Sequence, residues 1–233
     1  MFLKRNTEKA LTIATALLMV LAVGMIFFYL PEMRSGTGQV LDSSFNIFYF
    51  HLPIAFMAYF SFIVVFIASI MQLRQNSSRW DMIALSAAEV GVVFAFLVLL
   101  TGSIWAKATW GWYWVWEPRL TTSLVLLLVY LAYLMLRQSI EEPEKRARLA
   151  AVFGIVGFVS VPLSFLSIRL WRSTHPLMFG SSAYGGSGGG LEGTSLQLTL
   201  LVNMLAFFML FVTLLAYRIR NEELQEELRA QDG

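Results

Sequence analysis

The chain has 233 residues, of which 58% are hydrophobic and 14% charged, and its 17 Lys and Arg residues against 15 Asp and Glu give a net charge of +2. The apolar residues collect in long blocks, a pattern that excludes an ordinary soluble globular domain. Cysteine is absent, which excludes thiol catalysis, disulfides, thiolate metal sites and cofactors attached through cysteine.

Six apolar windows are long enough to cross a bilayer core, which takes about 20 mostly apolar residues. They cover residues 11–30, 45–71, 82–106, 120–136, 149–170 and 195–217. Each window is predicted to be a transmembrane helix, which makes the fold class all-α. The whole chain, 1–233, is predicted to be one integral membrane domain that ends in a charged cytoplasmic tail at residues 218–233.

The first window follows Lys4, Arg5 and Lys9, as the core of a secretory signal would. Its apolar run is longer than the roughly 7 to 15 residues of a signal core, and it lacks a clear small-x-small cleavage site. A retained membrane anchor is therefore predicted.

Six spans place both termini on the same side of the membrane. Cytoplasmic loops keep an excess of Lys and Arg, and one side holds twelve of them against five on the other. The twelve are Lys4, Arg5, Lys9, Arg74, Arg79, Arg137, Lys145, Arg146, Arg148, Arg218, Arg220 and Arg229; the five are Arg34, Lys107, Arg119, Arg169 and Arg172. Both termini are predicted to be cytoplasmic, and no soluble basic domain exists to bind nucleic acid.

Two histidines occur in the chain, and the predicted topology places both near the outer surface. His51 lies at the start of the second span, and His175 lies in the last outer loop before Pro176, which ends any helix. One histidine alone would more often serve packing, but two neutral imidazoles can bind heme iron together. Zinc takes three or four ligands, which outer carboxylates could complete: Glu32, Asp42, Glu117 and Glu192.

Three polar or helix-breaking residues interrupt the apolar spans. Glu89 is an acid well inside the third span, where helix packing or a partner contact is the predicted role. Pro162 and Asn203 are predicted to kink and to cross-link their helices.

The third outer loop is rich in aromatic residues. Residues 105–121 contain five of the seven Trp residues of the chain, together with Tyr113. An aromatic belt at the membrane interface needs fewer. Broad rigid rings favour a platform on which a flat porphyrin stacks, and Arg119 directly after it could pair with a propionate, as could Lys107, Arg169 and Arg172 near other span ends.

Two further segments are read from composition. Residues 181–193 form a Gly/Ser-rich stretch without lysine, which is typical of a flexible linker and does not fit a phosphate-binding loop. Any ATP hydrolysis is therefore expected from another chain. The tail from Arg218 alternates charges at helical spacing, which predicts that the last helix continues into water.

The motif W-G-x-x-W-x-W-E-x-R-L-T at residues 110–121 resembles the tryptophan-rich signature of the cytochrome c assembly family, and within it most closely the heme exporter C branch. Residues 49–53 (YFHLP) and 171–175 (WRSTH) resemble the segments that carry that family's two outer histidines. Tyr113 stands where the family usually has Trp, and Glu117 stands where it has Asp.

The resemblance implies a multi-pass subunit of the cytoplasmic (inner) membrane that is not an enzyme. It implies transient, non-covalent binding of heme b at the outer face, with His51 and His175 as axial iron ligands, and delivery to a membrane-anchored heme chaperone for cytochrome c maturation. The cofactor-binding residues it implies are Trp110, Gly111, Trp112, Tyr113, Trp114, Trp116, Glu117 and Arg119. Its implied partners also include ABC-transporter ATPase and permease subunits and a small single-span membrane subunit.

Other functions remain open at this point. A b-type electron-transfer subunit would hold heme permanently, but such proteins usually place histidine inside their spans. The heme–cytochrome c synthetase branch of the same superfamily generally carries additional histidines within spans, and this chain has only two in all. A permease without a cofactor leaves the tryptophan cluster unexplained.

Overall fold

The computed structural model describes residues 5–31, 43–175 and 193–232. Its helices are α1 (Arg5–Phe28), α2 (Phe48–Gln75), α3 (Ser78–Trp110), α4 (Pro118–Gln138), α5 (Pro143–Gly157), α6 (Ser160–Leu170) and α7 (Thr194–Asp232), with a 3₁₀ turn at Ser43–Ile47 before α2. Within these ranges, six helical segments are long and apolar enough to cross a membrane, and α5 and α6 together form one of them. The predicted all-α fold with six spans is confirmed.

The bundle has two ends, which differ in the elements they bring together. We call the end where α1 begins and α7 finishes the termini end, and the end where α2 and α4 begin and α3 and α6 finish the site end. Several residues named above lie outside the described residues: Lys4, Glu32, Arg34, Asp42, Pro176, Glu192 and the Gly/Ser-rich stretch as far as residue 192.

The centre of the bundle is the antiparallel pair of α2 and α3. A tight turn joins them at Asn76, which adopts a left-handed conformation (φ 45°, ψ 50°) and donates its N–H to Gln72 O. Gly91 lets the two helices come close, because a Cβ at this position would lie 2.6 Å from Phe62 Cε1. Phe62 in turn stacks on Tyr130 of α4, with 3.6 Å between the ring centroids. These contacts fix the positions of α2, α3 and α4, the helices that carry most of the site.

The fifth predicted span, 149–170, is divided into α5 and α6 by a break at Phe158 and Val159. Pro162 causes this break, because it has no N–H to donate to Phe158 O and its ring crowds that carbonyl. Val161 N–H bonds Phe158 O instead, at 2.9 Å. Phe158 and Val159 keep right-handed helical angles (φ −60° and −57°), so α5 and α6 form one span and the predicted kink at Pro162 stays a prediction.

Polar side chains join α1 to α7 inside the apolar bundle. Thr15 and Thr213 share a hydrogen bond of 2.8 Å, and Asn203 Nδ2 donates to Ala22 O at 3.4 Å. The predicted cross-linking role of Asn203 is confirmed. Such bonds satisfy polar groups that cannot reach water in the bilayer core.

Ion pairs hold the termini end together. Arg137 makes a bidentate pair with Asp81 at 2.5 and 2.7 Å, and its side chain is 6% exposed. Removing one member of such a buried pair typically costs about 3–5 kcal/mol. Arg218 pairs with Glu89, so the acid inside the third span contacts α7. Helix α7 continues to Asp232, which confirms that the tail extends the last helix.

Candidate functional site

His51 lies in the first turn of α2, at the site end, and is buried with 8% of its surface exposed. Its Nδ1 atom lies 2.8 Å from Thr101 Oγ1 of α3. The Trp105 indole, one helical turn further along α3, packs edge-on against the imidazole with ring centroids 5.9 Å apart. The ring is therefore fixed by two neighbours on the adjacent helix.

His175 reaches the same place from the segment after α6. The chain leaves the helix at Trp171, whose backbone is extended (φ −129°, ψ 159°). Ser173 Oγ then accepts the backbone N–H of His175 at 3.1 Å and donates to Glu117 Oε2. Glu117 also begins α4, because its Oε1 accepts the Leu120 N–H at 2.9 Å as an N-cap. One buried carboxylate thus joins the start of α4 to the segment that carries His175.

The structure brings the two histidines together. Their ring centroids are 6.4 Å apart, and the ring planes are inclined at 37°. A metal–imidazole bond is about 2 Å long, so two imidazoles that bind one metal from opposite sides have centroids roughly 6 Å apart. The observed centroid spacing is close to this value.

A small cavity of about 70 Å³ opens beside the pair. It is lined by Phe45, His51, Val98, Leu99, Gly102, Ser103, Trp105, Ala106, Thr109, Trp110, Trp114, Arg119, Leu120, Ser123 and His175. More than half of these residues come from one face of α3 at helical spacing. The wall is mostly apolar and aromatic, which suits a flat hydrophobic ligand.

The tryptophan-rich loop divides into two groups. Trp110 and Trp114 line the cavity, whereas Trp112, Tyr113 and Trp116 are 68%, 63% and 76% exposed. The division follows from the chain reversal after α3. Gly111 ends the helix in the left-handed region (φ 80°), which glycine adopts without steric cost, and donates its N–H to Lys107 O.

Arg119 is the cation that lies in the cavity wall. Its Nη1 donates to Ser164 O at 2.7 Å, and its guanidinium lies 5.8 Å from the Tyr59 ring centroid. Two other candidates have contacts elsewhere, since Lys107 Nζ donates to Gly111 O at 2.8 Å and the Arg169 guanidinium lies 5.1 Å from the Phe165 ring centroid. The geometry therefore favours Arg119 as the cation beside a ligand.

The zinc alternative finds no support among residues 5–31, 43–175 and 193–232, where no cluster of three or more His, Asp or Glu side chains could hold a metal ion. Glu117, the carboxylate nearest in sequence to the aromatic cluster, is bonded through both oxygens to Leu120 and Ser173. It positions protein groups rather than facing the cavity as a ligand.

Among the residues that contact the two histidines, the sequence did not single out Thr101, Gly102 or Ser173. The first two share one signal that could have found them. They lie one turn before Trp105 and Ala106 on α3, so extending the helical face back from Trp110 predicts which residues lie beside the cavity. Ser173 had no such signal, because its segment is not helical.

Similarity to known proteins extends over nearly the whole chain. The family described as heme exporter protein C matches residues 1–232. Similar proteins named heme exporter protein C come from Bradyrhizobium diazoefficiens, 34% identical over 218 residues (94% of this chain and 80% of the relative), and from Paracoccus denitrificans, 34% identical over 186 residues (79% and 76%). That of Escherichia coli K12 is 30% identical over 220 residues (93% and 84%). The chain belongs to the heme exporter protein C family.

Proposed function

We propose that this chain binds one heme as cargo between His51 and His175 and presents it at the outer face of the inner membrane. A membrane-anchored heme chaperone takes the heme from there for cytochrome c maturation. The observation that carries the proposal is the spacing of 6.4 Å between the two imidazole centroids. The name of the relatives, heme exporter protein C, supports the same cargo.

Coordination by two histidines suits a cargo that has to leave again. Neutral imidazole is a good axial ligand of heme iron. The iron–nitrogen bond is reversible, so heme can dissociate without a chemical reaction. The chain has no cysteine, so heme is not held by thioether bonds. The two ligands come from different parts of the chain, α2 and the non-helical segment after α6, so one can separate from the iron while the other stays bound.

The apolar part of the cavity accepts the porphyrin. Trp110 and Trp114 provide rigid aromatic faces beside the ligands, and burial of apolar surface contributes about 25 cal/mol per Å². Arg119 lies in the same wall and pairs with a propionate, because guanidinium binds carboxylate with two parallel hydrogen bonds. Its Nη1 bond to Ser164 O leaves its other N–H groups for that contact.

The exposed members of the tryptophan-rich loop form the transfer surface, which we define as Trp112, Tyr113 and Trp116. Their exposure of 63–76% leaves their faces available to a partner. Aromatic side chains of this kind dominate contacts between proteins. Bound heme lies in the cavity beside Trp114, which packs edge-on against Trp116 of this surface, and the chaperone receives the heme there.

The remaining roles rest on the distribution of charge along the chain and on the family to which it belongs. Both termini are cytoplasmic, since the side that contains them holds twelve of the 17 Lys and Arg residues. The chain is an assembly subunit and not an enzyme, and ATP-hydrolysing and permease subunits of an ABC-type complex act beside it, with a small single-span subunit. The heme is heme b, bound transiently and without covalent attachment.

Titration of the purified protein with ferric heme tests the proposed function. We expect one heme per chain with the absorption spectrum of a six-coordinate, low-spin iron in both oxidation states, as two imidazole ligands give. Transfer to the purified chaperone should follow. A spectrum of five-coordinate iron, or heme that cycles with quinols and does not leave, would contradict the proposal and favour an electron-transfer subunit.

The side of the membrane is tested by labelling, which the absence of native cysteine makes simple. Ala108→Cys lies at the site end and Ser139→Cys at the termini end, and both positions are exposed. An impermeant thiol reagent added outside intact cells should modify Cys at 108 and leave 139 unmodified until lysis. The reverse pattern would place the histidines on the cytoplasmic side.

A further inference from the structure

Thr101 connects His51 to the backbone of α3 through its hydroxyl group. Its Oγ1 lies 2.8 Å from His51 Nδ1 and 2.7 Å from Leu97 O, one turn earlier in α3. The three groups form a short hydrogen-bonded chain that ends on a backbone carbonyl. The Thr101 hydroxyl therefore lies between the imidazole and the carbonyl and bonds both.

The direction of the protons follows from the chemistry of these groups. A carbonyl oxygen only accepts, so the single hydroxyl proton of Thr101 goes to Leu97 O. The hydroxyl oxygen then faces His51 as an acceptor, and Nδ1 carries the hydrogen of that bond. In a neutral imidazole one nitrogen carries the hydrogen and the other keeps its lone pair. The lone pair of His51 is thus on Nε2.

We propose that Thr101 is a positioning residue that selects the Nδ1–H form of His51 and so keeps Nε2 ready to bind iron. The role of Nε2 rests on the proposed function, whereas the choice of ring nitrogen does not. Metal-binding histidines commonly donate their second ring N–H to a carboxylate or carbonyl, which fixes the ring and strengthens the ligand. Here a threonine hydroxyl, itself bonded to a carbonyl, does so from the neighbouring helix.

Gly102 supports the same orientation from the next position of α3. A Cβ there would lie 3.1 Å from His51 Cε1, 3.7 Å from Nδ1 and 3.9 Å from Nε2. The edge of the ring that carries both nitrogens thus lies directly on the glycine. Trp105 packs on the ring at 5.9 Å, so the imidazole has little room to turn over. A flipped ring would put a C–H against Thr101 and lose the hydrogen bond.

The chain offers a matched control for the ordinary role of a threonine in a helix. Thr122 of α4 bonds the carbonyl four residues earlier, Pro118 O, at 2.6 Å, as Thr101 bonds Leu97 O. It is half-buried, like Thr101. If Thr101 served only its helix, replacing either residue would have the same small effect.

The first experiment determines which ring nitrogen of His51 carries the hydrogen, in protein without heme. In a His175→Ala background, His51 is the single histidine, and ¹⁵N labelling of its ring shows by NMR which nitrogen carries the hydrogen. We expect the Nδ1–H form in the parent and in Thr122→Val, and a loss of its predominance in Thr101→Val. An Nε2–H ring in the parent, or the same ring form in Thr101→Val, overturns the proposal.

The second experiment uses the two-histidine protein loaded with heme. We expect Thr101→Val to lower heme affinity about 10-fold or more and to raise the reduction potential, because a weaker imidazole donor stabilises ferric iron less. Thr101→Ser should restore both values, and Thr122→Val should match the parent. Parental affinity and potential in Thr101→Val overturn the proposal. Thr101→Ala, which also lacks the hydroxyl, replaces the valine variant if that does not fold.

The two experiments separate this inference from the proposed function. A parent that binds no heme but shows the Nδ1–H form, dependent on Thr101, overturns the heme site and leaves the assignment of the ring nitrogen intact. If the parent binds heme normally but its ring form does not depend on Thr101, the heme site stands and the assignment of the ring nitrogen is overturned.

Discussion

Alanine in place of either His51 or His175 is expected to remove most of the heme from the purified protein. Changes beyond the first ligand shell typically lower metal affinity 10–100-fold, so loss of a ligand itself should lower heme affinity about 100-fold or more. The measurement is heme occupancy at equal protein amount, together with the absorption spectrum of the remaining heme. Cytochrome c formation in cells should fall to background in both variants.

Added imidazole distinguishes a lost ligand from a damaged fold. It should restore part of the six-coordinate spectrum in either variant, because a small ligand can occupy the space left by the side chain. Restoration is expected more readily at His175, whose segment is not helical, than at His51, which is 8% exposed within α2. Full heme occupancy in the double variant would rule out both residues as ligands.

The fold followed from the sequence because the bilayer leaves few choices. A backbone in hydrocarbon has to satisfy its own hydrogen bonds, so long apolar windows become helices. The break within 149–170 was also foreseeable, since Pro162 cannot bond Phe158 O. The bond between Asn203 and Ala22 needed the structure, because hydropathy does not show which helices are neighbours.

For the histidine pair, the sequence predicted the shared end of the bundle but not the distance between the rings. Counting spans puts His51 and His175 at one end of the bundle, but the 6.4 Å between their rings depends on the course of the chain after α6. That course is fixed by Ser173 and its bond to Glu117, 56 residues apart in sequence. No periodicity connects such a pair.

Glu117 shows why residue type alone was not enough. The sequence suggested that Glu117 contacts the cofactor. In the structure its two oxygens accept hydrogen bonds from the Leu120 N–H in the first turn of α4 and from the Ser173 hydroxyl. The carboxylate still serves the site, since it anchors the segment that carries His175. Glu117 therefore acts on the site by holding His175 in place.

The tryptophan-rich loop leads to a prediction in which binding and transfer separate. Trp114 lines the cavity, and its indole packs edge-on against Trp116 at 5.4 Å. An aromatic contact stabilises by about 0.5–1.5 kcal/mol beyond the apolar area it buries. Trp114→Ala should therefore lower heme affinity about 10-fold or more, as a titration with heme would measure.

Trp112→Ala and Trp116→Ala should behave differently from Trp114→Ala, because these side chains are 68% and 76% exposed. Their heme affinity should stay close to that of the parent, while the rate of heme transfer to the chaperone falls. Trp80→Ala is the matched control, since Trp80 lies at the termini end and donates its Nε1–H to Gln75 Oε1. Transfer at the parental rate in the Trp112 and Trp116 variants would mean that these rings only anchor the loop at the membrane surface, and the chaperone would then have to approach the cavity past Trp110 and Trp114.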